Sequence, residues 1–296
     1  MKTVLVTGAS GFLGWNFCKL ARKNWQLSDV RISGTYYIHA LDIKGVDMIQ
    51  LDLTDERSVR EMFETVRPDA VVHTAAVSSP NFCQTHPDLS YAVNVRASVT
   101  LATICCDRSI PFIFTSSEQV FDGEQSPYTE TDAVCPINLY GEHKAIAERE
   151  ILQRYPIATI CRMPLMFGCV PPTANSFIQP FLSAMRDGRE LKLFVDEFRT
   201  PVSGDTAAKG LLIALETGMG ILHLGGRERI SRYEFGLLLK EVFQLEQARI
   251  EPCRQADVKM AAPRPRDVAL DSSKAYALGY NPPSLKTALL EIRGKV

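Results

Sequence analysis

The sequence has no surplus of charge of either sign: 33 basic residues nearly cancel 34 acidic ones, for a net charge of −1. Such a chain offers no basic footprint, so no nucleic-acid partner is expected. No apolar run approaches the roughly 18–20 residues that span a bilayer, so no membrane partner is expected either. The opening stretch MKTVLVTGAS lacks an h-region and a cleavage site, and is not read as a signal peptide. Cysteines occur at 18, 83, 105, 106, 135, 161, 169 and 253, but there is no Cys-x-x-Cys and no His/Cys set at metal spacing. Their surroundings are mostly apolar, as for Cys161 in ATICRM. Buried, reduced thiols in a cytoplasmic protein are expected, and no metal. Repeats and low-complexity segments are also lacking.

What is present has globular proportions. Apolar residues make up 46% and charged residues 23% of 296, enough for one large domain or two small ones. Short apolar runs (KTVLVTG, RISGTYY, DMIQLDLTD, DAVVHTAA, IPFIFTSS, IATICRM) alternate with helical patterns up to about residue 165. In TDERSVREMFETV, Val59, Met62, Phe63 and Val66 fall on one helical face behind an acidic first turn. PDLSYAVNVRASVTLATICCDR reads as one long helix. Unbroken apolar strands between helices predict a parallel, doubly wound α/β sheet covered on both faces. After Met163 the rhythm loosens, with helices expected at 176–187, 205–217 and 231–243 and strands near 191–195 and 220–224. Residues 1–164, with 200–222 returning to them, are read as a Rossmann-type doubly wound domain. Residues 165–199 and 223–296 are read as a smaller substrate-binding cap over the carboxyl edge of the sheet.

TGASGFLG places Gly8, Gly11 and Gly14 between the first strand and the first helix. Gly8 would allow a tight turn, Gly11 the approach of a pyrophosphate, and Gly14 close packing of helix on strand. The helix N-terminus would offer free N–H groups to phosphate. The alternative is a glycine-rich turn with no ligand. The G-x-x-G-x-x-G spacing resembles the short-chain dehydrogenase/reductase superfamily, and TGASGFLG is similar to its extended branch, which acts mostly on nucleotide sugars. That resemblance implies a dinucleotide held by Gly8, Ser10, Gly11, Phe12, Leu13 and Gly14. Asp52 and Leu53 in LDLTD would lie near the adenine, and Ala75, Ala76 and Val77 in HTAAV beneath the cofactor. Where an NAD enzyme has an acid after the second strand, this chain has Thr35 and Tyr36; Asp42 comes too late. No arginine marks a phosphate pocket, though His39 and Lys44 are near. The reading favours NADPH, with NADH also accepted.

YGEHK raises the question of chemistry. Tyr140 and Lys144 share one helical face, and FIFTSS ends at Ser117, on the edge where ligands of such sheets bind. An ammonium beside the phenol would lower its pKa from about 10, and the phenol would give its proton to a carbonyl oxygen that Ser117 also binds. The alternative is two polar residues on an amphipathic helix. The set matches the catalytic Ser–Tyr–Lys of the superfamily. Asn94 in YAVNVRAS matches its helix asparagine, which supports the lysine through backbone and water.

SSEQVFDG resembles the S-T-D-Y-V-F-D-G segment of dTDP-4-dehydrorhamnose reductases. CRMPLMFG, the stretch from Ala174 to Val202, and RPRDVALDSSKAYALGY resemble later segments of that family, with Gln119 and Arg199 as departures. The resemblance implies NAD(P)H-dependent reduction of a 4-keto nucleotide sugar, with Tyr140 as proton donor. Dehydration is disfavoured because Gln119 cannot act as a base beside Glu118. An epimerase using the same triad stays open. So does a non-catalytic NADP-binding subunit resembling the regulatory subunit of methionine adenosyltransferase. Candidate substrate residues are Glu118, Asn175, Phe177, Arg199 and Arg266, with Phe194 and Arg264 as further choices. Arg199 is expected on a diphosphate, and the phenylalanines either on a base or in the core. His73 is expected to be a satisfied core histidine and His143 to be exposed. A homodimer through the helices after the fourth and fifth strands is a further expectation from the resemblance.

Overall fold

The computed structural model describes residues 2–25, 29–218 and 220–296. Seven strands form one sheet: β1 (Lys2–Thr7), β2 (Val30–Tyr36), β3 (Val46–Gln50), β4 (Ala70–His73), β5 (Phe112–Ser117), β6 (Thr159–Met163) and β7 (Ile221–His223). Their spatial order is β7-β6-β5-β4-β1-β2-β3, and every neighbouring pair is parallel. The order reverses between β1 and β4, so the carboxyl ends of these two strands flank the natural ligand crevice.

Alternation within the buried strands explains the two layers. Val4, Val6, Val72 and Ile113 face helices α1 (Phe12–Asn24) and a later helix, Gly204–Thr217. Leu5, Val71, Phe112 and Phe114 face α2 (Glu56–Val66), α3 (Pro87–Asp107) and α4 (Leu139–Arg154). The parallel doubly wound sheet expected from the apolar runs is what forms, because both faces must be covered. A third apolar cluster, including Phe167, Leu182, Phe235, Leu239 and Leu289, gathers the later helices.

Four details differ from the sequence reading. Strand β3 stops at Gln50, and Leu51–Thr54 form a turn in which the Asp52 carboxylate accepts from Thr54 N (2.8 Å) and Oγ1 (2.7 Å). Helix α3 is long and apolar enough to cross a bilayer, contrary to the reading that no such run exists. More than half of its most apolar stretch is buried in the protein, and it serves as a core helix. Within it, Ala92–Ala97 wind as a π-helical turn. The cysteines are all free thiols, but only Cys18, Cys83, Cys105 and Cys161 are buried, and Cys135 is exposed. Apolar neighbours in sequence do not bury a residue in a loop.

A buried ion pair ties α4 to β6. Arg162 donates to Glu148 through Nε (3.1 Å) and Nη2 (2.8 Å), and both residues are under 5% exposed. Arg162 Nη1 also lies 3.3 Å from His223 Nε2. Arginine has only donors, so that nitrogen accepts and Nδ1–H faces the carbonyls of Tyr128 and Asp271. Burial pushes His223 down to about 3, in keeping with a neutral ring. Glu148→Ala would leave the guanidinium buried without its counter-charge. Urea unfolding should show a loss of about 3–5 kcal/mol, against a much smaller loss for Glu148→Leu combined with Arg162→Met.

Candidate active site

The turn after β1 is built by close approach. Gly8 has φ +70°, and a Cβ there would lie 2.7 Å from Ala75 Cα on the neighbouring β4 loop. At Gly14 a Cβ would meet Gly8 O at 2.3 Å and Thr74 Oγ1 at 2.7 Å, so helix and turn can touch only through glycine. Helix α1 opens at Gly11 with no side-chain cap and no acid in its first turn, which leaves its N–H groups and positive dipole end available. Thr35 supports the same turn. Its hydroxyl accepts from Gly8 N (3.3 Å) and its carbonyl from Ala9 N (2.8 Å). Across the turn, Thr173 Oγ1 donates to Ser10 O (2.7 Å).

These residues border a cleft of about 730 Å³. Gly8, Ser10, Gly11, Phe12, Leu13, Gly14, Thr35, Tyr36, Asp52, Leu53, Ala75, Ala76 and Val77 all line it. So do Ser117, Glu118, Tyr140, Lys144, Asn175 and Phe177. Arg199, Arg266, Phe194 and Asn94 are not part of its wall. The wall also takes Tyr37, Thr74, Phe82, Leu89, Gln119 and Met163–Met166, which the sequence reading did not single out as contacts. Phe82 belongs to a short helix, Pro80–Thr85, begun by Ser79 as cap and Pro80; that Ser-Pro start was the signal to find it. Among the described residues, no cluster of His, Cys, Asp and Glu is placed to hold a metal ion.

Helix α4 brings the polar set together. Asn138 caps it by accepting from Gly141 N (2.9 Å), and donates to Gln119 Oε1 (3.0 Å) and Pro263 O (3.1 Å). A Cβ on Gly141 would lie 2.0 Å from Gln119 O, so this glycine lets the first helical turn sit on the end of β5. Tyr140 thereby lines the cleft beside Ser117, whose hydroxyl counters the rise of the phenol pKa. One turn on, Lys144 is 1% exposed. Its Nζ donates to Thr115 O (2.9 Å) and lies 4.6 Å from the Phe114 ring centroid.

Burial dominates both titrations. It pushes Lys144 down to about 8, opposed by the charge of Glu148. It pushes Tyr140 up, opposed by the Ser117 bond. The expectation of a phenol drawn down by Lys144 is thus corrected. In the protein alone the ammonium is engaged by a carbonyl and a ring face, and desolvation of the phenolate wins.

Other expectations are revised too. Asn94 is buried in the π-helical turn, and its side chain clamps the cleft loop, a contact the sequence did not indicate: Val77 N donates to Oδ1 and Nδ2 donates to Val77 O, both at 2.9 Å. His143, expected to be exposed, is 5% exposed, with Nδ1 2.8 Å from Ser90 Oγ and the ring edge-on to Tyr91. Arg199, expected on a diphosphate, is 3% exposed and occupied. It pairs with Glu118 (3.0 Å) and Glu197 (3.5 Å) and donates to the carbonyls of Phe198 and Pro265. Arg264 is held by Asn81 and the Ala262 carbonyl, whereas Arg266 is exposed. His73 is the satisfied core histidine expected, between Thr7 Oγ1 (2.6 Å) and Ser98 Oγ (2.9 Å).

A parallel doubly wound sheet whose carboxyl edge joins a glycine turn to a Ser–Tyr–Lys set defines an extended short-chain dehydrogenase/reductase. Within that class, the chain belongs to the family described as RmlD substrate binding domain, whose model matches residues 1–295. It is 32% identical over 289 residues to the probable low-salt glycan biosynthesis reductase Agl14 of Haloferax volcanii, covering 96% of this chain and 95% of that protein. It is 30% identical over 288 residues to methionine adenosyltransferase 2 subunit beta of Danio rerio, covering 95% and 86%. The crystal structure of a hypothetical dTDP-4-dehydrorhamnose reductase from Sulfolobus tokodaii superposes with a TM-score of 0.82, at 29% identity and 94% coverage of each chain.

The buried lysine gives a pH-dependent test. Between pH 8 and 10.5 the unfolded chain holds a proton that the folded one has released, so stability rises with pH across that window. Below pH 8 the cost of burying the ammonium is complete. Lys144→Met should therefore stabilise the fold, by on the order of 3 kcal/mol at pH 7. That gain should shrink toward zero by pH 10.5, as read by urea unfolding at each pH.

Proposed function

We propose that the protein reduces the carbonyl of a 4-keto nucleotide sugar with NADPH, NADH also being accepted. The observation that carries this reading is the convergence of Ser117, Tyr140, Lys144 and the glycine turn on a single cleft. The cleft suits a dinucleotide: an uncapped helix N-terminus faces it, and Gly8 and Gly14 keep side chains off the points where the turn packs closest. Asp52 and Leu53 would border the adenine, and Ala75, Ala76 and Val77 would lie beneath the nicotinamide, held in place by Asn94. No acid follows β2 where one would bind both ribose hydroxyls, which supports NADPH. Residues 1–164 with 200–222 would hold the cofactor, and 165–199 with 223–296 the sugar nucleotide, which Asn175 and Phe177 would touch.

The cofactor supplies the hydride; the protein supplies orientation and a proton. Ser117 binds the carbonyl oxygen. Tyr140, kept neutral by burial at pH 7, is in the protonation state needed to donate to that oxygen as the carbon is reduced. Lys144 faces the phenolate left behind and stabilises it. The Haloferax volcanii relative is named a reductase, in line with this reading. The Danio rerio relative is named a subunit of methionine adenosyltransferase, which supports a second reading as a binding subunit. The complete Ser–Tyr–Lys set favours the enzyme. The balanced charge supports neither a nucleic-acid nor a membrane partner, and a cytoplasmic location fits the free thiols.

Tyr140→Phe should lower kcat by about 10²–10⁴ while NADPH binding stays unchanged. Wild-type protein should consume one NADPH per keto sugar, followed at 340 nm. Turnover without net loss of absorbance would indicate an epimerase, and a tenfold preference for NADH would overturn the cofactor assignment.

A further inference from the structure

Val77 borders the cleft, and Asn94 takes up both of its backbone groups. That pairing fixes the Asn94 amide: Oδ1 must face the Val77 N–H, so Nδ2 faces the Val77 carbonyl. Cys83 Sγ donates to the same carbonyl at 3.2 Å. The second hydrogen on Asn94 Nδ2 goes to Ser90 Oγ at 3.2 Å. Ser90 Oγ in turn lies 2.8 Å from His143 Nδ1. Ser90 and Asn94 are wholly buried, and His143 is nearly so. A chain of buried polar groups thus runs from α4, through α3, to the cleft loop.

The amide sets the direction of each bond. An NH₂ group only donates, so Ser90 Oγ accepts from Asn94 and keeps its own hydrogen to give. Among the described residues, His143 Nδ1 is the nitrogen or oxygen placed to take it. The ring is then neutral, with its hydrogen on Nε2. Burial draws the ring's pKa down, opposed by the charge of Glu142, in keeping with that state. Tyr91 holds the ring edge-on at 5.5 Å. Ser90, Asn94 and His143 are not part of the cleft wall, so the chain acts on the cleft through Val77. A second tie joins the same region to the start of α4: Gln84 Oε1 accepts from Leu139 N at 3.3 Å.

We infer that His143 is a positioning residue: through Ser90 and Asn94 it sets the Val77 loop relative to the helix that carries Tyr140, and so the nicotinamide relative to the proton donor. The inference rests on the cofactor reading of the cleft, in which Ala75–Val77 lie beneath the nicotinamide. It adds to that reading a residue that touches neither cofactor nor substrate. Rigid support of this kind matters because a small displacement of reacting groups is costly to rate.

The test titrates two ligands: NADPH, and 2′-phospho-ADP-ribose, which has the adenosine and diphosphate but no nicotinamide. His143→Leu removes the acceptor and leaves the Ser90 hydroxyl buried without it. NADPH should then bind about 3–10-fold more weakly, as for one lost hydrogen bond, while 2′-phospho-ADP-ribose binds as it does to wild type. His143→Asn keeps a polar atom one bond beyond Cγ, where the imidazole has Nδ1, and should bring NADPH affinity back to within about twofold of wild type. Ser90→Ala is the smaller change and breaks the chain at its middle, so it carries the test should the leucine variant fail to fold; it should show the same selective loss. Undiminished NADPH affinity in either variant, an equal loss for both ligands, or no rescue by His143→Asn overturns the assignment and leaves the cofactor reading standing. Failure of wild-type protein to bind either ligand overturns both.

Discussion

The ammonium of Lys144, buried against the Thr115 carbonyl, is the constraint around which the site is arranged. Taking an ammonium out of water is costly, and here local partners offset only part of the cost. A strand-end carbonyl accepts from Nζ, the Phe114 ring presents its face, and Glu148 stands one turn further along α4. Each partner is fixed by something else. Thr115 is held by β5, whose hydroxyl side chain at that position bonds the His73 carbonyl of β4. Glu148 is fixed by Arg162 on β6. The ammonium one turn after Tyr140 is therefore anchored to three adjacent strands.

Close approach does for the other half of the cleft what buried charge does for this one. Gly8 and Gly14 let β1, α1 and the β4 loop touch through backbone atoms, which leaves the helix N-terminus open to the cleft. Gly141 does the same where α4 meets the end of β5. The π-helical turn in α3 adds the third support. It turns Asn94 inward, where both polar ends of its amide hold the backbone of Val77. A regular helix advances every side chain by the same angle. A π turn alters that phase, so one polar residue can face the loop while its apolar neighbours stay in the core.

The fold was legible because its signals are local. Runs such as KTVLVT and FIFTSS are buried on both faces, and the glycines need only their neighbours in sequence to declare a turn. What could not be read depends on residues far apart in the chain. Arg199 looks free until Glu118, 81 positions earlier, is seen beside it. His143 sits among Glu142, Lys144 and other polar residues, and only Ser90 and Tyr91 on α3 reveal that its helix face is covered. The grip of the Asn94 side chain on Val77 could not be read either, since a π turn leaves no mark in hydrophobic periodicity. In the protein alone the Tyr140 phenol is pushed up rather than drawn down, for a similar reason. Pairing can be guessed from spacing, whereas desolvation depends on everything packed around the phenol.

Relatives of this chain include a named reductase and a named subunit of methionine adenosyltransferase, so membership of the family leaves the role to the chemistry of the cleft. A protein that only binds a dinucleotide needs the glycine turn and an open helix end. It gains nothing from burying a lysine and a glutamate whose proton affinities both move toward about 8. Such displaced groups lower the stability of the fold, and their concentration at one strand end is the pattern found where protons are transferred. Here they flank the same serine and tyrosine, at the carboxyl edge where the sheet presents its ligands. The stability cost is accounted for if the site turns over a carbonyl substrate, and a purely regulatory cleft provides no comparable account.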